Sequence, residues 1–379
     1  MTFEQTKYWV ALGRARRMGT TRFRKLEAYF GDLGNAWEAG AAQLKAAGLD
    51  APSTQAVIEI RAKVSPEEEM ARLETAGVQP LTWHHPEYPP RLKHIDDPPP
   101  VLYVKGKLIP EDERAVAVVG TRSPTAYGRE VAASLSGELA GSGITVVSGL
   151  ALGIDTIAHR SALSQGGRTV AVVAYGLDIT YPRDNSGLSR QIEELGAVVS
   201  EYPLGTRPDA RGFPRRNRLI SGMSLGTVVV EASEKSGARW TVYHALEQNR
   251  EVFCVPGSIF SPASRLTNRL IQEGAKLVSG YTDILEELNL RVVSRQIEMR
   301  LTDGLADNLP PSPDEEEEVK LLRWLNHEPM HIDDIRRNAC LPVALVGSLL
   351  TMLELKGMVK QVGGMHYVRT GEATPIYGN

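Results

Sequence analysis

The sequence predicts a doubly wound α/β fold on a parallel sheet, with a small all-helical domain before it and a winged helix after it. Three observations predict it. Short apolar runs rich in β-branched residues recur between residues 116 and 290, each ending in a glycine-bearing or polar turn. Most gaps between these runs carry helical periodicity, which gives the alternating rhythm of a covered parallel sheet. The two ends of the chain lack that rhythm and read as helices, with a glycine-turned hairpin near the carboxyl end.

Residues 1–65 form the first unit. Tyr8, Trp9 and Leu12 share one helical face, and Phe23, Leu26 and Phe30 share another. Arg17 to Thr21 is a turn between them, with a threonine placed to cap. Helix, Met-Gly turn and helix is a pattern of small modules that hold a DNA phosphate on turn amides, and equally of packing or dimerising modules. The basic pair Arg16-Arg17 lies beside the turn.

Residues 66–290 form the second unit. PEEEMARLETAG reads as a polar helix and Val78 to Thr82 as a strand. A proline-pinned loop then leads to a strand at Val101 to Val104. His84 and His85 lie in that loop, but adjacent side chains do not converge on a metal and no Cys or carboxylate has ligand spacing. The central stretch is VAVVGTRSPTAYG, Val116 to Gly128: a strand, cut by Gly120, then a helix from Tyr127. Here Gly120 leaves room for an anion to approach the backbone, and the helix start offers amides. The stretch matches neither GxGxxG nor GxxxxGK[ST], so no standard mononucleotide motif is met. Further strands are expected at Ile144–Val147, Thr169–Ala174, Ala197–Ser200, Leu225–Val230, Glu251–Val255 and Leu277–Val278. Residues 291–314 read as a linker. Residues 315–379 read as three helices and a hairpin, a winged helix whose third helix starts after Pro342 and is mostly apolar, with Lys356 near its end.

Composition narrows the function classes. The chain has 379 residues, 42% of them hydrophobic and 23% charged, with a formal net charge of -3. A nucleic-acid surface must therefore be a local patch, not a global field. Cys254 and Cys340 sit far apart in apolar contexts, as buried thiols of a reducing compartment do. No secretory leader and no apolar span of membrane length is read, so a cytoplasmic protein is expected.

Four polar clusters are expected at the carboxyl edge of the sheet, where open α/β sheets bind ligands. They are Gly120-Thr121-Arg122, the Ser148 to His159 stretch, Phe213 to Gly222 with Arg215, Arg216 and Arg218, and Glu231 to Glu247. Arginine forks beside glycine turns suit several phosphates in a row, or surface ion pairs. Tyr181 and Tyr202 offer rings for stacking on bases or for filling loop cavities. Asp155 and Glu231 suit the orienting of arginines or turns better than acid–base work. Ser148 is a nucleophile only if His159 or another base reaches it. No convincing cluster of metal ligands is read from the spacing. Binder and enzyme stay open on these residues alone.

The motifs VAVVGTRSPTAYG, VVSGLALGIDTIAHRSAL, GGRTVAVVAYGLDITYPRDN, VVSEYPLGTRPD, FPRRNRLISGMSLGTVVVEASEKSG and REVFCVPGSI occur in that order. Together they resemble the DNA-processing protein A family, also called Smf, over residues 85–285. The resemblance implies an extended Rossmann-like domain that binds single-stranded DNA, with a sterile-alpha-motif or helix-hairpin-helix type domain before it and a winged helix after it. It implies a homodimer that protects incoming strands in natural transformation, meets the RecA recombinase, and loads it onto DNA covered by single-strand-binding protein. It implies no catalytic turnover and no cofactor. Carried over by motif, Arg122 contacts a phosphate. Gly120, Ser148, Gly149, Arg216, Asn217 and Arg218 line the same pocket, and Lys235, Ser236 and Gly237 form a loop beside it.

The chain departs from the family pattern at Leu152, where an arginine is usual, and in SGARWTV, Ser236 to Val242, where SGSLITA is usual. Arg239 is placed to restore the charge, or Trp240 to repack the helix. Of the later family loop only Asn268 and Leu270 remain. The competing reading is a nucleoside-monophosphate-hydrolysing enzyme of the lysine-decarboxylase-like group. Its PGGxGTxxE loop is absent here, where the strand end reads VVVEASEKSG and keeps only Glu231.

Overall fold

The computed structural model describes residues 3–290 and, between 321 and 369, a set of shorter segments. The linker expected at 291–314, the acidic run at 314–318, Cys340 and Lys356 lie outside the described residues.

Five helices, α1 (Phe3–Gly13), α2 (Thr20–Phe30), α3 (Leu33–Glu38), α4 (Ala41–Ala46) and α5 (Ala51–Arg61), precede α6 (Pro66–Thr75). Trp9, Leu12, Phe23, Leu26 and Leu44 are buried at their centre. That core continues without a break into Tyr103, Ala171, Val173 and Val198 of the sheet. The chain then runs β1 (Val78–Thr82), α7 (Pro90–Lys93), β2 (Val101–Gly106), β3 (Ala115–Val119), α8 (Ala126–Gly141), β4 (Thr145–Ser148), α9 (Ile154–Ser164) and β5 (Thr169–Val173). It continues through α10 (Ser186–Leu195), β6 (Ala197–Ser200), α11 (Gly212–Gly222), β7 (Gly226–Val229), α12 (Ala238–Glu247), β8 (Glu251–Cys254), α13 (Arg265–Gln272), β9 (Lys276–Leu277) and α14 (Tyr281–Glu287). Inside the stretch expected as loop, Pro90 opens the one-turn helix α7, because a proline costs nothing at a first helical position.

The strands form one nine-stranded sheet in the order β1-β2-β6-β5-β4-β3-β7-β8-β9. From β6 to β9 every pairing is parallel. The sheet is therefore mixed where a parallel one was expected: β2 runs antiparallel to both β1 and β6. Both outermost strands are modest, since β1 carries Pro80 at its centre and β9 has two residues. Alternation sets the layers. Val116 and Val118 face α8 and α9, whereas Ala117 and Val119 face the core that includes Leu219, Ile220 and Val242. From β3 the chain first builds toward β6, then returns to lay β7 on the other side of β3. The strand order reverses there, and the connections that leave β3 and β7 pass to opposite faces of the sheet, which leaves a crevice at their carboxyl ends.

In the carboxyl-terminal unit, strands Met330–His331, His366–Arg369 and Val359–Gln361 pair antiparallel, and its described residues include helices Ile332–Ala339 and Val343–Leu355. Leu321, Ile335, Val346, Leu350 and Leu353 form its core. Leu345 and Val346 donate their amides to the Pro342 carbonyl, so Pro342 opens the second of these helices.

His159 is fully buried on α9 and its Nδ1 lies 2.6 Å from Thr169 Oγ1. Because that hydroxyl already donates to the Val146 carbonyl, the ring donates to it through Nδ1–H. Burial, aided by the charge of Arg216, lowers the imidazole from its ordinary value to about 3. The ring is neutral in the fold and gains a proton in the unfolded chain below about 6.5. Stability is therefore complete above about 6.5 and is lost as pH falls toward 3, by up to about 1.4 kcal/mol per unit. Urea midpoints of His159→Asn between pH 4 and 7 should show a flatter profile than the parent. An unchanged slope would assign the acid lability elsewhere.

Candidate nucleic-acid interface

The crevice at the carboxyl ends of β3 and β7 is a cleft of about 690 Å³. Gly120, Thr121 and Arg122 form one wall, with Phe213, Arg216 and Asn217 of α11 as another. Ser236, Gly237 and Trp240 form the side toward α12, and Tyr181 closes the far end. Of the residues expected at the site, Gly120, Arg122, Arg216, Asn217, Ser236 and Gly237 line this one cleft. Ser148, Gly149, Arg218 and Lys235 do not.

Several of these residues serve the scaffold. Gly120 is needed for packing: a Cβ there would lie 2.6 Å from Ile154 Cγ1 and 2.9 Å from the Glu231 carbonyl. The amide of Thr121 already donates to that carbonyl at 2.7 Å. The start of α8 is likewise taken. Glu231, 1% exposed, accepts the Thr125 amide at 2.9 Å and its hydroxyl at 2.6 Å. The hydroxyl of Thr125 in turn accepts from Gly128 N. An internal carboxylate thus occupies the position that a phosphate takes in nucleotide-binding turns. A Cβ on Gly128 would meet it at 2.1 Å, so that glycine makes the room.

Ser148 is buried and donates to the Val118 carbonyl at 2.7 Å, while the His159 ring is bonded to Thr169. Nucleophile and base are not paired. Asp155 accepts the Gly149 and Ala151 amides at 3.2 and 3.3 Å. Arg216, 4% exposed, donates to the carbonyls of Gly149 (2.7 Å) and Val172. Burial lowers the guanidinium pKa, and Asp155 opposes that. Burial raises the Asp155 carboxyl against the pull of Arg216. A Cβ on Gly149 would fall 2.6 Å from Arg216 Nη1 and 2.7 Å from Asp155 Oδ2, so only glycine admits this pair. Arg218 is buried in a two-pronged bond to Glu201 at 3.0 and 2.8 Å, and Arg215 joins Glu201 at 3.4 Å. Asp155 and Glu231 therefore act as orienters, as the sequence suggests. The arginine cluster is divided between core ion pairs and the cleft.

What remains for a ligand is more compact. Arg122 is exposed at the cleft and makes no ion pair among the described residues. Its guanidinium lies 5.4 Å from the Phe213 ring centroid, and that of Arg216 lies 6.0 Å from the same ring. Tyr181 lies 6.1 Å from Phe213, tilted by 34°. Phe213 was missed by a reading that weighed charge. The signal was its place directly before Pro214 and the arginines, where the chain turns into α11. Lys235 and Ser236 lie on the loop before α12, and Asn217 ties it to α11 through the Gly237 carbonyl at 3.4 Å. Trp240 does not repack α12, whose buried face is Ala238, Thr241, Val242 and Ala245. It stands in the cleft wall, with Arg239 stacked at 5.0 Å. Asn268 clamps Gly257 through both backbone groups, at 3.1 and 2.9 Å, and Leu270 is buried. Leu152 is 43% exposed.

Among the described residues no group of three or more His, Cys, Asp or Glu is placed to hold a metal, and no helix is long and apolar enough to cross a membrane. The cleft, with cations against aromatic rings, suits a ligand that offers both negative charge and flat faces.

Comparison with known proteins agrees with this chemistry. Protein Smf of Synechocystis is 34% identical over 397 residues, covering 97% of this chain and 100% of its own. DNA processing protein DprA of Bacillus subtilis is 44% identical over 225 residues, covering 59% and 76%. Among solved structures, DNA processing protein A of Streptococcus pneumoniae matches with a TM-score of 0.65 and 33% identity, over 74% of this chain and 97% of its own. The DprA winged helix domain matches residues 306–365. The model named DNA recombination-mediator protein A matches residues 79–289, more than half of the chain and all of the cleft. The chain belongs to the DNA recombination-mediator protein A family.

Proposed function

We propose that this protein binds single-stranded DNA in the cleft at the carboxyl edge of the sheet and acts from there as a recombination mediator. It protects incoming strands and loads the RecA recombinase onto DNA covered by single-strand-binding protein, working as a homodimer in the cytoplasm. The observation that carries the reading is Arg122: an unpaired guanidinium held against Phe213 at the mouth of a cleft whose other anion sites are filled by the protein's own carboxylates. A backbone phosphate on Arg122 and a base on the Phe213 and Tyr181 rings would use both features. Support comes from the Helicobacter pylori relative, with a TM-score of 0.51 and 30% identity over 56% of this chain, whose structure concerns that protein's single-stranded DNA binding mode.

In this reading Arg122, Asn217, Lys235, Ser236 and Gly237 meet the strand. Gly120, Ser148, Gly149, Arg216 and Arg218 hold the walls in place. Residues 66–290 carry the DNA site, residues 1–65 and 315–379 are accessory domains, and 291–314 is their linker. Polarization of a labelled oligothymidylate across a salt series tests it. Arg122→Ala should weaken binding by roughly 10- to 100-fold, as the loss of a charge-assisted contact does. It should also lower the salt slope by about 0.7, one single-strand phosphate. Undiminished affinity with an unchanged slope would remove Arg122 from the site, and no binding by the parent would remove the reading.

A further inference from the structure

On α12 the chain carries Arg239, Trp240 and Tyr243, and these side chains do nothing for the core. The buried face of the helix is made by Ala238, Thr241, Val242 and Ala245. Trp240 is 38% exposed and Tyr243, one turn further on, is 52% exposed. Their ring centroids are 6.3 Å apart and nearly perpendicular, at 81°. The Arg239 guanidinium covers one face of the indole at 5.0 Å and makes no ion pair among the described residues. Leaving two large aromatic side chains in water forfeits the gain of burying them, so a surface built this way fits a ligand with flat apolar faces. Its position narrows the ligand further. Trp240 is itself part of the cleft wall, so the aromatic pair continues the cleft outward along α12 instead of forming a separate patch. Lys235, exposed at the preceding turn, places a second cation at the same rim.

We infer that Arg239, Trp240 and Tyr243 form a second base-stacking platform that receives the nucleotides of a single strand leaving the cleft. The inference rests on the proposed strand-binding role of the cleft and extends its length. The occupant is a strand because the platform pairs cationic groups with rings and adjoins a cationic cleft; a protein partner would need no such continuity. The ring spacing of 6.3 Å spans about two base steps of about 3.4 Å, so the two rings would serve different bases.

The experiment measures binding of oligothymidylates of about 4 and about 16 nucleotides, the range a single binding fold covers. Tyr243→Ala should leave the short strand's affinity unchanged and weaken the long strand at least about fivefold, with the salt slope retained. Trp240→Ala should weaken the long strand at least as much, and Trp240→Phe should restore most of the loss. Arg239→Ala should lower the long-strand salt slope by about 0.7. Equal long-strand affinity in parent and Tyr243→Ala overturns the platform. If sedimentation then shows a changed oligomeric state in that variant, the face belongs to a second copy of the chain. Loss of short-strand binding by Arg122→Ala beside unchanged Tyr243→Ala would sink the platform and leave the cleft reading standing. Failure of the parent to bind either strand would sink both.

Discussion

Arg216→Ala is expected to destabilise the protein by about 3–5 kcal/mol, the range for breaking a buried charge pair from one side. The guanidinium serves the carbonyls of Gly149 and Val172 and its charge favours the ionised form of the buried carboxyl at Asp155. Removing it leaves two carbonyls without their donor and one acid in a medium that disfavours its charge. For a chain of this size the thermal midpoint should fall by roughly 5 °C. Arg216→Lys should recover part of the loss, because both carbonyls are served by the single nitrogen Nη1 and an ammonium carries donors enough for the two. Replacing Asp155 by asparagine in the same chain should recover part of the loss, since the stranded charge is then gone. Urea melts of the single and double variants decide it. A loss below about 1 kcal/mol would mean that Arg216 is a surface ligand group after all.

Glu231→Ala should cost about 2–4 kcal/mol, through the Thr125 amide and hydroxyl it abandons and the helix start it no longer neutralises. The informative readout is rescue. The vacated pocket at the start of α8 keeps its donors, so inorganic phosphate or sulfate should raise the melting midpoint of the variant and leave that of the parent nearly unmoved. Equal responses in the two proteins would show that the carboxylate does not occupy an anion position.

The sheet was legible because strands covered on both faces must be apolar at nearly every position, and Val116–Val119, Thr169–Val173 and Ala197–Ser200 are. The crevice was legible because glycine and polar residues follow those runs. The direction of β2 was not, since antiparallel addition at an edge leaves no mark in a short apolar segment. Nor was the division among the arginines. Arg215, Arg216 and Arg218 look alike in a row, and their fates depend on Glu201, Asp155 and the loop after β4. Helical spacing turns Arg216 toward one acid and Arg218 toward another, and only the tertiary position of those acids says which charge is spent inside. Arg122 escaped this ambiguity because the Gly120 turn sets it outside the strand with no acid opposite.

The ends of the sheet bear on crowding. Open strand edges are where folded sheets fuse into aggregates when copies of a chain crowd together. Pro80 removes an amide from the middle of the outermost strand on one side, and on the other side β9 offers only two residues. Neither border offers a long unbroken row of backbone donors to a neighbour's strand, which disfavours fusion of crowded copies through their sheets.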